Sequence, residues 1–164
     1  MKVNNAGVSG VLVDEDGVIK TTYDKAKECL DTNYYGVKNR IPNEQVRKEL
    51  GDVMSLSEKK IDGFVEKFLE DLSNDELEAN GWSKMLPAYS VSKAMLNAYT
   101  RVLAKTYPEM CINCVHPGYV DTDISWHTGT MTLEEGAQGS VMLALLPQGG
   151  PSGCYFDRTQ VGEF

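Results

Sequence analysis

Two stretches of the chain repeat with the period of an amphipathic helix. Ala26, Cys29, Leu30, Asn33, Tyr34 and Val37 lie at i, i+3, i+4, i+7, i+8 and i+11, so one face of a helix within 22–37 carries them all. Ile61, Phe64, Val65, Phe68, Leu69 and Leu72 repeat the spacing, and Ser57 is placed to cap that helix. Ser73-Asn74-Asp75-Glu76 has the form of a capping box and predicts a short further helix. Another helix is expected from about Ser90 to Lys105. Thr132-Leu133-Glu134-Glu135 is a second capping box, opening a helix to about Leu146. Three short segments read as strands: residues 1–8, ending in a Gly turn, residues 111–116, and Gly153-Cys154-Tyr155-Phe156. Strands mixed with helices in this way indicate the α/β class.

Composition narrows the possibilities. The 164 residues fit a single domain, 41% hydrophobic content supplies a core, and the formal net charge is −8. That charge repels a phosphate backbone and argues against nucleic-acid partners. No apolar run is long enough for a membrane helix, and no basic, then apolar leader is visible at Met1. A cytoplasmic location is the resulting expectation. Cys111 and Cys114 have C-x-x-C spacing. With two histidines in all and no second such pair, a metal site is not expected, and the cysteines read as small hydrophobes around a buried strand. His116 and His127 are expected to be neutral loop histidines without a base or metal partner.

The chemistry concentrates at Tyr89-Ser90-Val91-Ser92-Lys93. Residues four apart share a helix face, so the phenol and the ammonium can meet. A neighbouring ammonium favours the phenolate and lowers the phenol's pKa, which suits a general acid or base near neutral pH. A Tyr-x-x-x-Lys spacing alone also describes any solvated helix pair. Its neighbours carry the argument: Asn4-Asn5-Ala6-Gly7 upstream and Pro117-Gly118-Tyr119-Val120-Asp121-Thr122 downstream.

This ordered set resembles the short-chain dehydrogenase/reductase family. The match is closest to its plant carbonyl reductases, the group of the menthone (neomenthol) dehydrogenases and salutaridine reductase. Thr32-Asn33-Tyr34-Tyr35-Gly36-Val37, Ala98-Tyr99-Thr100-Arg101, Ile112-Asn113-Cys114-Val115 and Gly149-Gly150-Pro151-Ser152-Gly153 carry the closer likeness. The resemblance implies an NADP(H)-dependent oxidoreductase that reduces a terpenoid or alkaloid ketone to an alcohol. Tyr89 would protonate the carbonyl oxygen, Lys93 would lower the phenol's pKa and hold the nicotinamide ribose, and Asn33 would hold a water in the proton relay. Asn5, Ala6 and Gly7 would border the adenine ribose. Pro117, Gly118, Val120 and Thr122 would close over the nicotinamide and phosphates. The partner is a small-molecule ketone or alcohol, and the intact family members of this branch tend to be monomers.

Two departures from the family pattern set a second expectation. A dinucleotide-binding sheet opens with a strand, a Gly-rich turn and a helix that receives the pyrophosphate; no such turn precedes Asn4. No β-branched apolar run lies between Val37 and Ser57, where the family has a central strand ending in its catalytic serine. Ser83, Ser90 and Ser92 lie near Tyr89, and none follows such a strand. The fold expected is therefore the C-terminal part of a Rossmann-like doubly wound parallel sheet. It lacks the N-terminal Gly-rich βαβ half and one central strand, and residues 1–164 form a single partial domain with a helical insertion at about 41–84. The alternative function is a truncated, inactive form that acts through association or aggregates. A lost oxyanion donor of this kind costs about 10²–10³ in rate.

Overall fold

Among the expected elements, the helices form most nearly as the periodicity requires. The computed structural model describes residues 12–13, 19–20, 43–83 and 86–162, the first two pairs as backbone only. The described elements are β1 (Leu12–Val13), β2 (Ile19–Lys20), α1 (Glu44–Gly51), α2 (Glu58–Ser73), α3 (Pro87–Thr106), β3 (Cys114–His116), α4 (Leu133–Ala144), β4 (Tyr155–Asp157) and β5 (Gln160–Gly162). A 3₁₀ turn spans Asp123–Ser125. The helix expected within 22–37 and the strand expected within 1–8 lie outside the described residues.

The chain divides into two compact units, with the boundary between Tyr99 and Thr100 inside α3. The first unit contains β1, β2, α1, α2 and the first part of α3. Its strands pair antiparallel, Leu12 opposite Lys20 and Val13 opposite Ile19. Asn43 caps α1 by accepting from the Val46 N–H at 3.1 Å, and its amide donates to the Asn80 carbonyl at 2.9 Å. Ser57 caps α2 as its sequence predicts, accepting from the Lys60 N–H at 3.3 Å. The stripe on α2 buries Ile61 and Phe68 fully.

The capping box expected to open a helix at Ser73 does not do so. Ser73 still belongs to α2 and its hydroxyl donates to the Glu70 carbonyl at 2.8 Å. Asn74 ends the helix and Asp75 takes a left-handed conformation, φ 60°, which short polar residues tolerate best after glycine. Turns follow to Gly81. They are anchored by buried Asp71, which accepts from the Trp82 indole at 2.7 Å, the Asn80 amide at 2.9 Å and the Lys67 ammonium at 3.2 Å. Trp82 also meets Phe68 edge-on, with ring centroids 5.3 Å apart, a favoured aromatic geometry.

The second unit is a three-stranded sheet in the order β3-β4-β5 with α4 against it. β3 and β4 are parallel, pairing Cys114 with Tyr155 and His116 with Asp157. β5 returns antiparallel to β4, so the sheet is mixed where a parallel one was expected. The strand expected at 111–116 is shorter by three residues. Residues 110–113 spend their polar groups on the loop before β4: the Ile112 carbonyl accepts from the Gly153 N–H at 2.7 Å, the Ser152 hydroxyl donates to the Met110 carbonyl at 2.9 Å, and the Asn113 amide donates to the Pro151 carbonyl at 2.7 Å. The capping box at Thr132 forms in full, with Thr132 Oγ1 accepting from the Glu135 N–H at 3.2 Å and Glu135 accepting from the Thr132 N–H at 2.8 Å. α4 can approach closely because Gly139 faces the sheet; a Cβ there would lie 2.4 Å from the Arg158 carbonyl oxygen.

Replacing Asp71 by Ala strands a buried indole donor, which costs about 1–3 kcal/mol. Urea unfolding should show that loss in the native background and a smaller one in a Trp82→Phe background, where the donor is already gone.

Candidate active site

α3 brings the candidate acid and its cation together. Pro87 starts the helix, where its missing N–H costs nothing, and the Leu86 carbonyl accepts the first bond from the Ser90 N–H at 2.9 Å. The start is three residues earlier than the sequence suggested. Ala88, Val91, Met95 and Ala98 bury the apolar side of the helix. Tyr89, Lys93, Asn97 and Arg101 follow one another at four-residue intervals along another line. Lys93 is only 8% exposed, and its ammonium stands over the Tyr89 ring, 5.3 Å from the centroid, within cation–π range. Burial strengthens that attraction because water competes less for the ammonium.

Of the serines near this pair, Ser92 is spent on the backbone of the helix. Buried Ser92 donates its hydroxyl to the Tyr89 carbonyl at 2.8 Å. Ser83 and Ser90 are half-buried. A shallow cleft of about 270 Å³ in the same unit, lined by Glu58, Ile61, Asp62 and Tyr99, includes neither Tyr89 nor Lys93.

The second group of candidates, Pro117, Gly118, Val120 and Thr122, forms one continuous loop after β3. Gly118 has φ 94°, and a Cβ there would lie 2.3 Å from Met131 Sδ, so only glycine fits. Its N–H donates to His116 Nδ1 at 2.9 Å. The loop is closed at its base, where the Asp121 N–H donates to the Met131 carbonyl at 2.9 Å and the Met131 N–H to the Tyr119 carbonyl at 3.1 Å. Ser125 ties the interior, donating to the Val120 carbonyl at 2.8 Å and accepting from the Thr122 N–H at 3.0 Å. Val120 packs where α4 has Gly136, whose Cβ would lie 2.4 Å from Val120 Cγ2.

Comparison with known proteins places this geometry. "Short-chain dehydrogenase/reductase 1" of Saponaria officinalis is 43% identical over 206 aligned positions, covering 99% of this chain and 68% of that protein. The chain belongs to the short-chain dehydrogenase/reductase family. It is an oxidoreductase by that membership, since its relatives are dehydrogenases and reductases. A "(+)-neomenthol dehydrogenase" of Arabidopsis thaliana is 38% identical, covering 99% of this chain and 69% of its own. The structure of salutaridine reductase from Papaver somniferum matches with a TM-score of 0.82 at 33% identity, over 93% of this chain and 70% of that one. No family model matches the chain.

Of the residues expected to form the site, the structure pairs Tyr89 with Lys93 and sets Pro117, Gly118, Val120 and Thr122 in one loop. Asn33, Asn5, Ala6 and Gly7 lie outside the described residues. One expectation about histidine is overturned, that for His127. His116 has the Gly118 N–H as donor, and His127 lies between two carboxylates, Nδ1 2.8 Å from Asp121 and Nε2 3.0 Å from Asp123. Hydrogen bonding to Asp121, with its charge and that of Asp123, raises the His127 pKa above the ordinary 6.5. The sequence held the signal, two aspartates four and six residues before a histidine, but a local turn was needed to use it.

Sequence reasoning also missed the buried polar end of α3. Asn97 is 4% exposed, and its carbonyl oxygen has no hydrogen-bond partner among the described residues. Burial lowers the Arg101 pKa, opposed by nearby Cys114. Cys114 is buried in β3 and its thiol is pushed up to about 12, chiefly by that burial. Cys111 is exposed and precedes the strand. Among the described residues no group of three His, Cys, Asp or Glu is arranged to hold a metal.

Alkylation by iodoacetamide near pH 8 should therefore modify Cys111 and spare Cys114, read by peptide mass mapping. The unfolded Cys114 thiol ionises near 9 and the folded one near 12. The folded state holds the proton more tightly, so stability present below pH 9 should be lost as pH climbs toward 12.

Proposed function

We propose that this chain is an NADP(H)-dependent carbonyl reductase acting on terpenoid or alkaloid ketones. The observation that carries the reading is the Lys93 ammonium, buried and 5.3 Å from the Tyr89 ring centroid on one helix face. It fits a proton donor tuned by a fixed positive charge. Tyr89 gives its phenolic proton to the carbonyl oxygen as the alcohol forms, and Lys93 holds the phenol in place and favours its anion afterwards.

The residues present fit a nicotinamide dinucleotide. A dry ammonium offers donors to ribose hydroxyls, and at Gly118 the backbone is uncovered by any Cβ. Lys93 would hold the nicotinamide ribose, Pro117, Gly118, Val120 and Thr122 the nicotinamide end, Asn5, Ala6 and Gly7 the adenine side, and Asn33 a relay water. When bound, the cofactor supplies the hydride. The ketone class is drawn from relatives named for neomenthol and salutaridine.

A second reading has one observation of its own. The alignment with the Saponaria relative runs to 206 positions, more than the 164 residues here. That supports internal residues in the relative that this chain lacks; this reading takes the serine-bearing strand to be among them. Under this reading the chain neither binds NADPH tightly nor turns over.

NADPH fluorescence titration with consumption assays on menthone and a cyclic alkaloid ketone separates the two. The proposal expects saturable NADPH binding and turnover. It also expects Tyr89→Phe to retain NADPH binding while kcat falls about 10²–10⁴-fold, the usual worth of a positioned acid. Neither binding nor turnover in a folded native chain establishes the second reading, and tight binding without turnover overturns both.

A further inference from the structure

The Tyr119–Met131 loop holds a charged device that the reductase reading does not use. Both ring nitrogens of His127 face carboxylate oxygens, Asp121 Oδ1 at 2.8 Å and Asp123 Oδ1 at 3.0 Å. An ionised carboxylate only accepts, so both nitrogens must carry hydrogen, and only the imidazolium does so. The neutral ring can serve one aspartate at most. The charges that act most on the ring are those of Asp121 and Asp123.

The backbone at this point is held against its preference. Trp126 and His127 are consecutive left-handed residues, φ 50° and 56°, a conformation that L-residues with a Cβ rarely adopt. Three turn bonds support it, from the Trp126 N–H to the Asp123 carbonyl, the His127 N–H to the Thr122 carbonyl and the Thr128 N–H to the Ser125 carbonyl, at 3.0, 3.0 and 3.1 Å. The Tyr119 hydroxyl pairs with Thr128 Oγ1. The loop turns Tyr119, Ile124 and Trp126 outward, each more than half exposed.

We propose that His127 is a proton-operated clasp. Charged, it bridges Asp121 and Asp123 and holds the loop with Ile124 and Trp126 presented; neutral, it lets go of one aspartate and the left-handed turn relaxes. Because the folded loop binds the proton more tightly than free histidine, the clasp is complete below about pH 6.5. It is lost as pH rises through a higher range set by the two carboxylates. The device needs no cofactor, so its test stands apart from that of the reductase reading.

The test is an NMR titration of the full chain without cofactor. It follows the His127 ring nitrogens and the Trp126 indole, with the buried Trp82 indole as the marker of an intact fold. The native chain should show His127 titrating above the ordinary histidine value and the Trp126 resonance moving over the same pH range. Asp121→Asn with Asp123→Asn should return the His127 midpoint to the ordinary value. His127→Asn should make Trp126 insensitive to pH, because asparagine tolerates the left-handed turn but does not titrate. A native His127 midpoint at or below the ordinary value overturns the proposal. So does a Trp126 resonance that stays still across the His127 titration, and both are read on the native chain alone.

Discussion

A charge taken out of water is the constraint around which the α3 helix is built. Moving an ammonium into a protein interior costs several kcal/mol before any partner is counted. Lys93 meets that cost on a face where Tyr89 supplies the negative side of its ring. The α-helical repeat does the rest, since it brings residues four apart into one line. The same repeat carries Asn97 and Arg101 into the interior beyond Lys93. Deleting one residue within α3 would turn all that follows by about 100° relative to what precedes it, breaking both this line and the apolar side made by Ala88, Val91, Met95 and Ala98. The chemistry and the packing are therefore set by one helical phase.

The two units solve different problems with similar means. Around α2, a buried carboxylate gathers three donors, so that a chain segment without regular structure is pinned at Trp82. Around β3, the side chains of Asn113 and Ser152 lace two loops together where no ladder forms. Around α2 the carboxylate satisfies an indole that burial would otherwise strand, whereas around β3 most of the bonds are exposed and fix the path of the two loops. Glycine supplies the remaining close approach, letting α4 lie against the Val120 loop at Gly136 and against the sheet at Gly139.

Much of this was legible from the residues. The stripe from Ile61 to Leu72, the cap at Ser57 and the capping box at Thr132 depend on neighbours within a few positions, and local rules read them correctly. The α3 helix was legible apart from its start, where Pro87 extends it into a proline-marked turn. What local rules missed depends on distant partners. Ser73 to Glu76 reads as a helix start, yet Ser73 closes α2 and the next residues serve Asp71. Residues 111–113 read as strand, yet the hydrogen bonds of Ile112 and Asn113 go to Ser152, Gly153 and Pro151. The β5 return and the β1–β2 pair are two or three residues per strand, too short to leave a period. The Tyr89 and Lys93 pairing was legible because it is a property of one helix; the clasp at His127 was not, because it needs a left-handed turn at Trp126.

The lacing of β3 to the segment before β4 also has a direction in time. Cys114 and its neighbours have their ladder partners 41 residues later, with α4 in between. During synthesis at 5–20 residues per second, β3 waits about 2–8 s for those partners to be made. Throughout that interval β3 lacks its β4 ladder partner. Nascent chains at that stage are the ones a chaperone would meet, and the early capping box at Thr132, which needs nothing downstream of Glu135, gives α4 a head start in shielding them.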